Sequence, residues 1–495
     1  VTRSTGPRFG AALLLAFLFA ACASWKGRGA GDPDARPSAD TASAGRTQGD
    51  SGSLPFPEAR DSLGFEVPYA DRLRDSSESG PNPFARPGDS GRPPLGRPDH
   101  GRRSGIRIKP RPAGLPAYVR VLLTRTSKTL PVYSLGDVEL RGDAEGSGKP
   151  KSLRGRLSIR RDGGTFEVSL GGRKVHAVAA KRLRLVSQNA YNLLEVGGQV
   201  YRGHLEVIAG NGAELAVVNV LGMEDYLRGV LPYEMGTVDR DALEALKAQA
   251  VAARTYAMRR VLATRGKDFN LHCDVQDQVY RGIKAEYLLS DRAVRETRGM
   301  ALTFRDSLAH CYYHSTCGGR TASRHDVWGG DSSAYLVSRP DIDAGGDRFC
   351  RASKYSSWKQ EWTRPQLAGI LRRNLGSANV AGAPAFSALT GLQVLSRASC
   401  GRIKVLRIDT DKGPIHVKGD KVRWALRPAD AEERILPSAW FDVKVSGDKV
   451  LAEGRAFGHG IGLCQMGAMA RARAGQDFRA ILQAYYAGTE IVEYR

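Results

Sequence analysis

The stretch HLEVIAGNGAELAVVNVLGMEDYLRGVLPYEMGTVDRDALEALKAQAVAARTYA, residues 204–257, changes its period along its length. HLEVIA and ELAVVNV read as two strands joined by a Gly-Asn-Gly turn. Further on the pattern becomes helical. Leu243, Leu246, Ala250, Ala253 and Ala257 recur at the spacing of one helix face, which predicts a helix from about Asp241 to Leu262. Asp241 suits its N-cap, with Glu244 three residues later completing a capping box. A neighbouring row of Ala242, Ala245, Gln249, Ala252 and Tyr256 is small enough for another backbone to approach, and Gln249 and Tyr256 add polar tips. One carboxylate, Glu234, stands at the mouth of this helix, after Pro232 and on an apolar approach of Leu227, Val230 and Leu231.

Outward from this stretch, strands dominate. YVRVLL, VYSL, GRLSIRR, TFEVSL, RLRLVS and NLLEV precede it, separated by turn-forming residues. MALTFRD, LAHCYYHST and GLQVLSRASCGRIKVLRIDTDKGPIHVKG follow. Two short helices close the chain, QMGAMARARAG and DFRAILQAYYAG, each ending on a glycine suited to a C-cap, Gly475 and Gly488. The fold class expected is α+β, mostly antiparallel, with one long helix behind Glu234.

The chain carries a formal charge of +22, of which +18 lies beyond residue 110. Such a domain attracts anionic polymers. Arg3 and Arg8 precede the apolar run AALLLAFLFAACA, which is shorter than the ~20 residues of a spanning helix and reads as an export signal over residues 1–24. FAAC resembles a bacterial lipobox, with Cys22 as the lipidated residue. Export to the bacterial envelope, with a lipid in the membrane, makes nucleic acid an unexpected partner. Residues 25–104 are poor in large apolar residues and read as a disordered tether, leaving 105–495 as the folded domain. Beyond Cys22, Cys273, Cys311, Cys317, Cys350, Cys400 and Cys464 allow many pairings. We favour Cys317 with Cys350, and Cys400 and Cys464 can stand as buried free thiols.

Several motifs occur in order: MEDYLRGVLPYEM at 223–235, ALKAQAVAARTYA at 245–257, DQVYRG at 277–282, YHSTCGGRT at 313–321 with DVWGG after it, SCGRIKVLRI at 399–408 and FGHGIGLCQMGA at 457–468. Together they resemble the stage II sporulation protein D family, from about Tyr118 onward. The resemblance implies a lytic transglycosylase that cleaves peptidoglycan glycan strands, favouring those stripped of stem peptides, with Glu234 as its acid. It also implies kinship with amidase enhancers, which assist a cell-wall amidase. A non-catalytic glycan-binding enhancer is therefore the alternative reading.

Most glycosidases use two carboxylates. A lytic transglycosylase manages with one, which protonates the leaving oxygen and then takes the proton of the muramic acid C6 hydroxyl. That carboxyl must start protonated, which apolar surroundings favour. Arg254 is open to two roles: pairing with Asp239 or Asp241, or holding Glu234 or a lactyl carboxylate. Gln249, Tyr256, His314, Ser315, His459 and Gln465 are candidate substrate contacts, each also able to serve as an ordinary structural polar group. No cofactor and no metal is expected. His310 and His314 would lie roughly 13 Å apart along a strand at ~3.3 Å per residue. The stretch NLHCDVQDQVY has His272 and Cys273 without the His-Cys pair that follows in zinc-bearing relatives.

Overall fold

A computed structural model of the chain describes residues 106–143, 151–187, 193–376, 378, 380 and 385–495. The expected leader, Cys22 and the tether lie outside the described residues.

Consecutive alternating strands build the largest sheet. It has eleven strands and is antiparallel except at one edge, where Leu271–His272 runs parallel to Tyr118–Thr126. From that edge inward, Tyr118–Thr126 pairs with Leu215–Gly222, then His204–Ala209, Arg182–Ser187, Leu130–Gly142, Lys151–Asp162 and Thr165–Leu170, ending on Arg173–Ala179. Leu215–Gly222 is apolar almost throughout because it is covered on both faces. Leu215, Val217 and Leu221 join the main core, and Ala216, Val218 and Val220 a smaller one with Leu122 and Ile208. The buried Asn219 gives its amide to the carbonyls of Arg202 and His204 and accepts from the Tyr280 hydroxyl.

Two helices follow this strand, where the sequence reading expected one. The first, α1, spans Met223–Met235 and ends at Gly236, whose φ of 70° suits glycine. Glu234 therefore lies in the last turn of its own helix, not at the mouth of the long one. Pro232, inside α1, hides the helical pattern in the sequence. The long helix, α2, spans Leu243–Ala263 after a short 3-10 turn at Arg240–Ala242. That turn takes Asp241 out of the cap position, and the expected capping box does not form. Glu244 instead accepts the Phe478 amide and pairs with Lys247.

Burial of α2 extends over all of its faces, beyond the expected single stripe. It packs against α1, the helix Leu288–Glu296, the strand Met300–Phe304 and the two C-terminal helices Gln465–Arg473 and Phe478–Tyr485. Its many alanines allow this, since small side chains let five neighbours reach one helix. Gly475 (φ 85°) and Gly488 (φ 78°) follow the C-terminal helices as expected.

Residues 358–454 form a second core. Two three-stranded antiparallel sheets, Trp358–Thr363 with Lys449–Gly454 and Phe441–Ser446, and Leu389–Arg397 with Ile403–Thr410 and Gly413–Lys418, enclose the helix Arg364–Asn374. Only the second of these sheets was expected. Among the described residues no helix is long and apolar enough to cross a membrane. The favoured Cys317–Cys350 disulfide is a contact and not a bond: the two sulfurs lie 3.7 Å apart, and both residues are free thiols.

Candidate functional site

The carboxyl of Glu234 stands at the C-terminal end of α1, half-buried among Tyr226, Tyr313, Val279 and Gln465. Oε1 accepts the Val279 amide at 3.0 Å, and Oε2 accepts Gln465 Nε2 at 3.4 Å. The Tyr313 hydroxyl bonds to it as well. Burial raises its pKa from 4.5 to about 7, against the pull of these three donors. The helix C-terminus adds to the cost of a negative charge there.

Each donor has its own support. Tyr313 and Gln465 approach through a two-residue parallel bridge, in which Tyr313 faces Leu463 and His314 faces Cys464. The Tyr313 hydroxyl accepts from Gln278 Nε2 at 2.9 Å. Gln278 is buried, and the Ala253 carbonyl takes the other proton of its amide while Tyr226 donates to its oxygen. With the amide fixed this way round, the Tyr313 proton is directed at Glu234. Val279 is held through its loop, where Asp277 accepts from the Tyr256 hydroxyl at 2.8 Å and the His272 amide at 2.8 Å, and pairs with Arg260.

The expected residues divide accordingly. Gln465 meets Glu234 directly, and Tyr256 meets its supporting loop. Ser315 lies beside Gln465 through its carbonyl, which accepts the Met466 amide at 3.0 Å. Gln249 is fully buried in α2, and both its amide atoms lack a hydrogen bond. Arg254 does not join the group. Its guanidinium grips Glu224 at 3.0 and 2.6 Å and also bonds the Met300 carbonyl, so it pairs with neither Asp239 nor Asp241.

The rings of His314 and His459 meet at a tilt of 58°, with centroids 5.5 Å apart. His314 Nδ1 bonds the Ile461 carbonyl, and His459 Nδ1 accepts the Ile461 amide. Burial lowers both pKa values, that of His459 to about 4, so both rings are neutral at pH 7. The glycines around them serve close packing. A Cβ on Gly462 (φ 71°) would lie 2.1 Å from the Tyr312 carbonyl oxygen.

Tyr313, Gln278 and Tyr226 were missed by the sequence reading. Tyr313 sits in the quoted YHSTCGG motif beside His314, and Gln278 in DQVY, so the signal was present and was assigned to neighbouring residues. Trp328, from DVWGG, is 45 % exposed and packs on Tyr312 and His459, forming an aromatic surface next to the bridge.

A family model described as Stage II sporulation protein matches residues 211–304, which hold α1, α2 and the Val279 loop. An uncharacterized protein of Brachyspira hyodysenteriae is 31% identical over 326 residues, covering 65% of this chain and 80% of the relative. The stage II sporulation protein D of Bacillus subtilis is 28% identical over 295 residues, covering 56% of this chain and 76% of its own. The chain belongs to the stage II sporulation protein D family. The family also reaches an amidase enhancer of Bacillus subtilis, 28% identical over 375 residues, of which this chain spans 50%. A second model, of a domain of unknown function (DUF8618), matches residues 347–462 and so overlays the second core.

Proposed function

We propose that this member of the family acts on the cell wall as a peptidoglycan lytic transglycosylase, with Glu234 as its single acid and base. The observation that carries this reading is a single half-buried carboxyl held by Val279 and Gln465, whose burial raises its pKa to about 7 and leaves a large fraction protonated near neutrality. In the proposed reaction Glu234 gives its proton to the oxygen joining N-acetylmuramic acid to N-acetylglucosamine. As that bond breaks, the carboxylate takes the proton of the muramic acid C6 hydroxyl. The C6 oxygen closes on C1, leaving a 1,6-anhydro end, and no water is consumed.

Oε1, bound to the Val279 amide, acts as an acceptor, and the more weakly held Oε2 carries the proton. Tyr313 and Gln465 stabilise the carboxylate formed midway. Asp277, a carboxylate of the loop that carries Val279, is occupied by Tyr256, Arg260 and the His272 amide, in keeping with a one-carboxyl reaction. The aromatic surface of Trp328 and Tyr312 suits sugar rings, and the +22 charge suits an anionic glycan. With this activity goes an envelope location, a tether at 25–104 and a lipid on Cys22.

A second reading, a glycan-binding enhancer of a cell-wall amidase, is favoured by the amidase enhancer among the relatives. One experiment separates the two. The purified chain and its Glu234→Gln variant are incubated with peptide-stripped glycan strands, and the products are read by mass spectrometry. Anhydro-ended fragments from wild type, reduced by roughly 10²–10⁴-fold in the variant, support the transglycosylase. Glycan retention without fragments by both folded proteins, with equal stimulation of an added amidase, supports the enhancer.

A further inference from the structure

Behind the Gln465 side of the site, three thiols converge. Cys317, Cys350 and Cys464 are all buried, and their sulfurs lie within 4.8 Å of one another. A carboxylate completes the group: Asp341 Oδ2 lies 3.1 Å from Cys317 Sγ. We propose that Cys317, Cys350, Cys464 and Asp341 form a tetrahedral site for a divalent cation of the zinc class. The inference does not depend on the proposed glycan chemistry.

The donor set is the first argument. Three sulfurs and one carboxylate oxygen suit a borderline-soft cation that accepts four ligands. Spacing is the second. Sulfurs at ~2.3 Å from a tetrahedral centre lie about 3.8 Å from each other, and Cys317 and Cys350 are 3.7 Å apart without being bonded.

Backbone amides supply the third argument. The Gly319 amide points at Cys317 Sγ at 3.3 Å, and those of Cys317 and Gly467 point at Cys464 Sγ at 3.2 and 3.3 Å. Donors aimed at sulfur suit the thiolate, the form in which a cysteine ligates a metal.

The surroundings of Asp341 are those of a ligating carboxylate. Arg471 holds Oδ1 through two nitrogens, at 3.1 and 2.8 Å, and the Tyr485 hydroxyl steadies both oxygens. This leaves Oδ2 turned to the sulfurs. There is no room for more: a Cβ on Gly467 would lie 2.5 Å from Asp341 Oδ2 and 2.3 Å from the Tyr485 oxygen. Loading exchanges protons for the cation, with one proton leaving each thiol as its metal–sulfur bond forms.

Cys464 directly precedes Gln465, and Cys317 lies four residues after Tyr313, so the cation would clamp two of the groups that touch Glu234. The ligands are drawn from three separate segments, which accounts for their invisibility as a spacing motif.

The test uses the full chain, purified under reducing conditions and reconstituted with Zn²⁺ or Co²⁺. Metal retained after dialysis is measured by mass spectrometry, and Co²⁺ ligation by absorption. The proposal expects about one equivalent bound, with a thiolate-to-cobalt charge-transfer band and the strong visible bands of a tetrahedral site. Cys350→Ser should lose at least about tenfold in metal affinity, while Cys400→Ser, outside the cluster, should keep it. No retained metal, a Co²⁺ spectrum without the thiolate band, or equal loss in Cys400→Ser would overturn it. A Cys317–Cys350 disulfide in protein isolated without reductant would do the same. The Co²⁺ spectrum of the unmodified chain decides the matter even where the variants fail to fold.

Discussion

Gln278 donates to the Tyr313 hydroxyl over 2.9 Å, and this bond decides which way the tyrosine's own proton faces. Because the Ala253 carbonyl has claimed the other amide proton, the Tyr313 hydroxyl cannot donate back and is left to serve Glu234. A buried glutamine thereby tunes a carboxylate that it does not touch.

Tyr313→Phe should raise the Glu234 pKa further, since it removes a donor that favours the charged form. The alkaline limb of the pH–rate profile moves to higher pH, while the maximal rate falls because the carboxylate formed midway loses a stabilising bond. The variant should also lose about 1–2 kcal/mol of stability through the stranded Gln278 amide. A pH–rate series with chemical denaturation checks both.

Glu234→Gln should stabilise the fold at alkaline pH. The folded pKa of about 7 lies above the ordinary 4.5, so the folded state binds the proton more tightly. Stability therefore falls as pH rises from 4.5 to 7 and levels off beyond it. The amide escapes this loss. The expected gain is about 1–3 kcal/mol at pH 8, after allowing for partial solvation, and it vanishes near pH 4.5. Melting temperatures of both proteins across this range test it. Activity of the wild type should fall across a higher window centred on about pH 7, as the acid form of the folded protein is lost.

The strand half of residues 204–257 was legible because alternation and a Gly-Asn-Gly turn are local signals. Helix α1 was not, since Pro232 in its last turn reads as a break. The capping box failed because Asp241 and Glu244 carry the right spacing but a 3-10 turn intervenes, a choice made by tertiary contacts such as Glu244 with the Phe478 amide. Glu234 could be singled out from its motif, and its acidity argued from apolar neighbours. Gln465 was named from its own motif as a candidate contact, but its bond to Glu234 was not legible, because the two lie 231 residues apart. The cysteine cluster was unreadable for the same reason: Cys317 and Cys464 are 147 residues apart.

Arg254→Ala should cost about 2–4 kcal/mol, because it removes a fully buried guanidinium and leaves the partly exposed Glu224 without its partner. Its effect on substrate KM should be small in the fraction that remains folded, since the guanidinium bonds Glu224 and carbonyls and not the Glu234 group. Denaturation curves alongside glycan-binding measurements distinguish this from a substrate-contact role, which would raise KM without unfolding the chain.

Gly462→Ala should break the site from behind. The added methyl collides with the Tyr312 carbonyl, at a backbone φ of 71° that favours glycine. We expect a loss of about 3 kcal/mol or more, and loss of the Tyr313 bridge. Near-ultraviolet circular dichroism of the tyrosines, with thermal melts, reads both effects.

The two-residue bridge between Tyr313–His314 and Leu463–Cys464 joins strands on either side of the second core. During synthesis Glu234 is made long before the segment that carries Gln465. A growing chain therefore lacks the Gln465 contact to that carboxyl until the segment carrying it docks, 231 residues further on. The second core can also lengthen at modest entropic cost, since doubling a closed loop adds only about 0.6 kcal/mol.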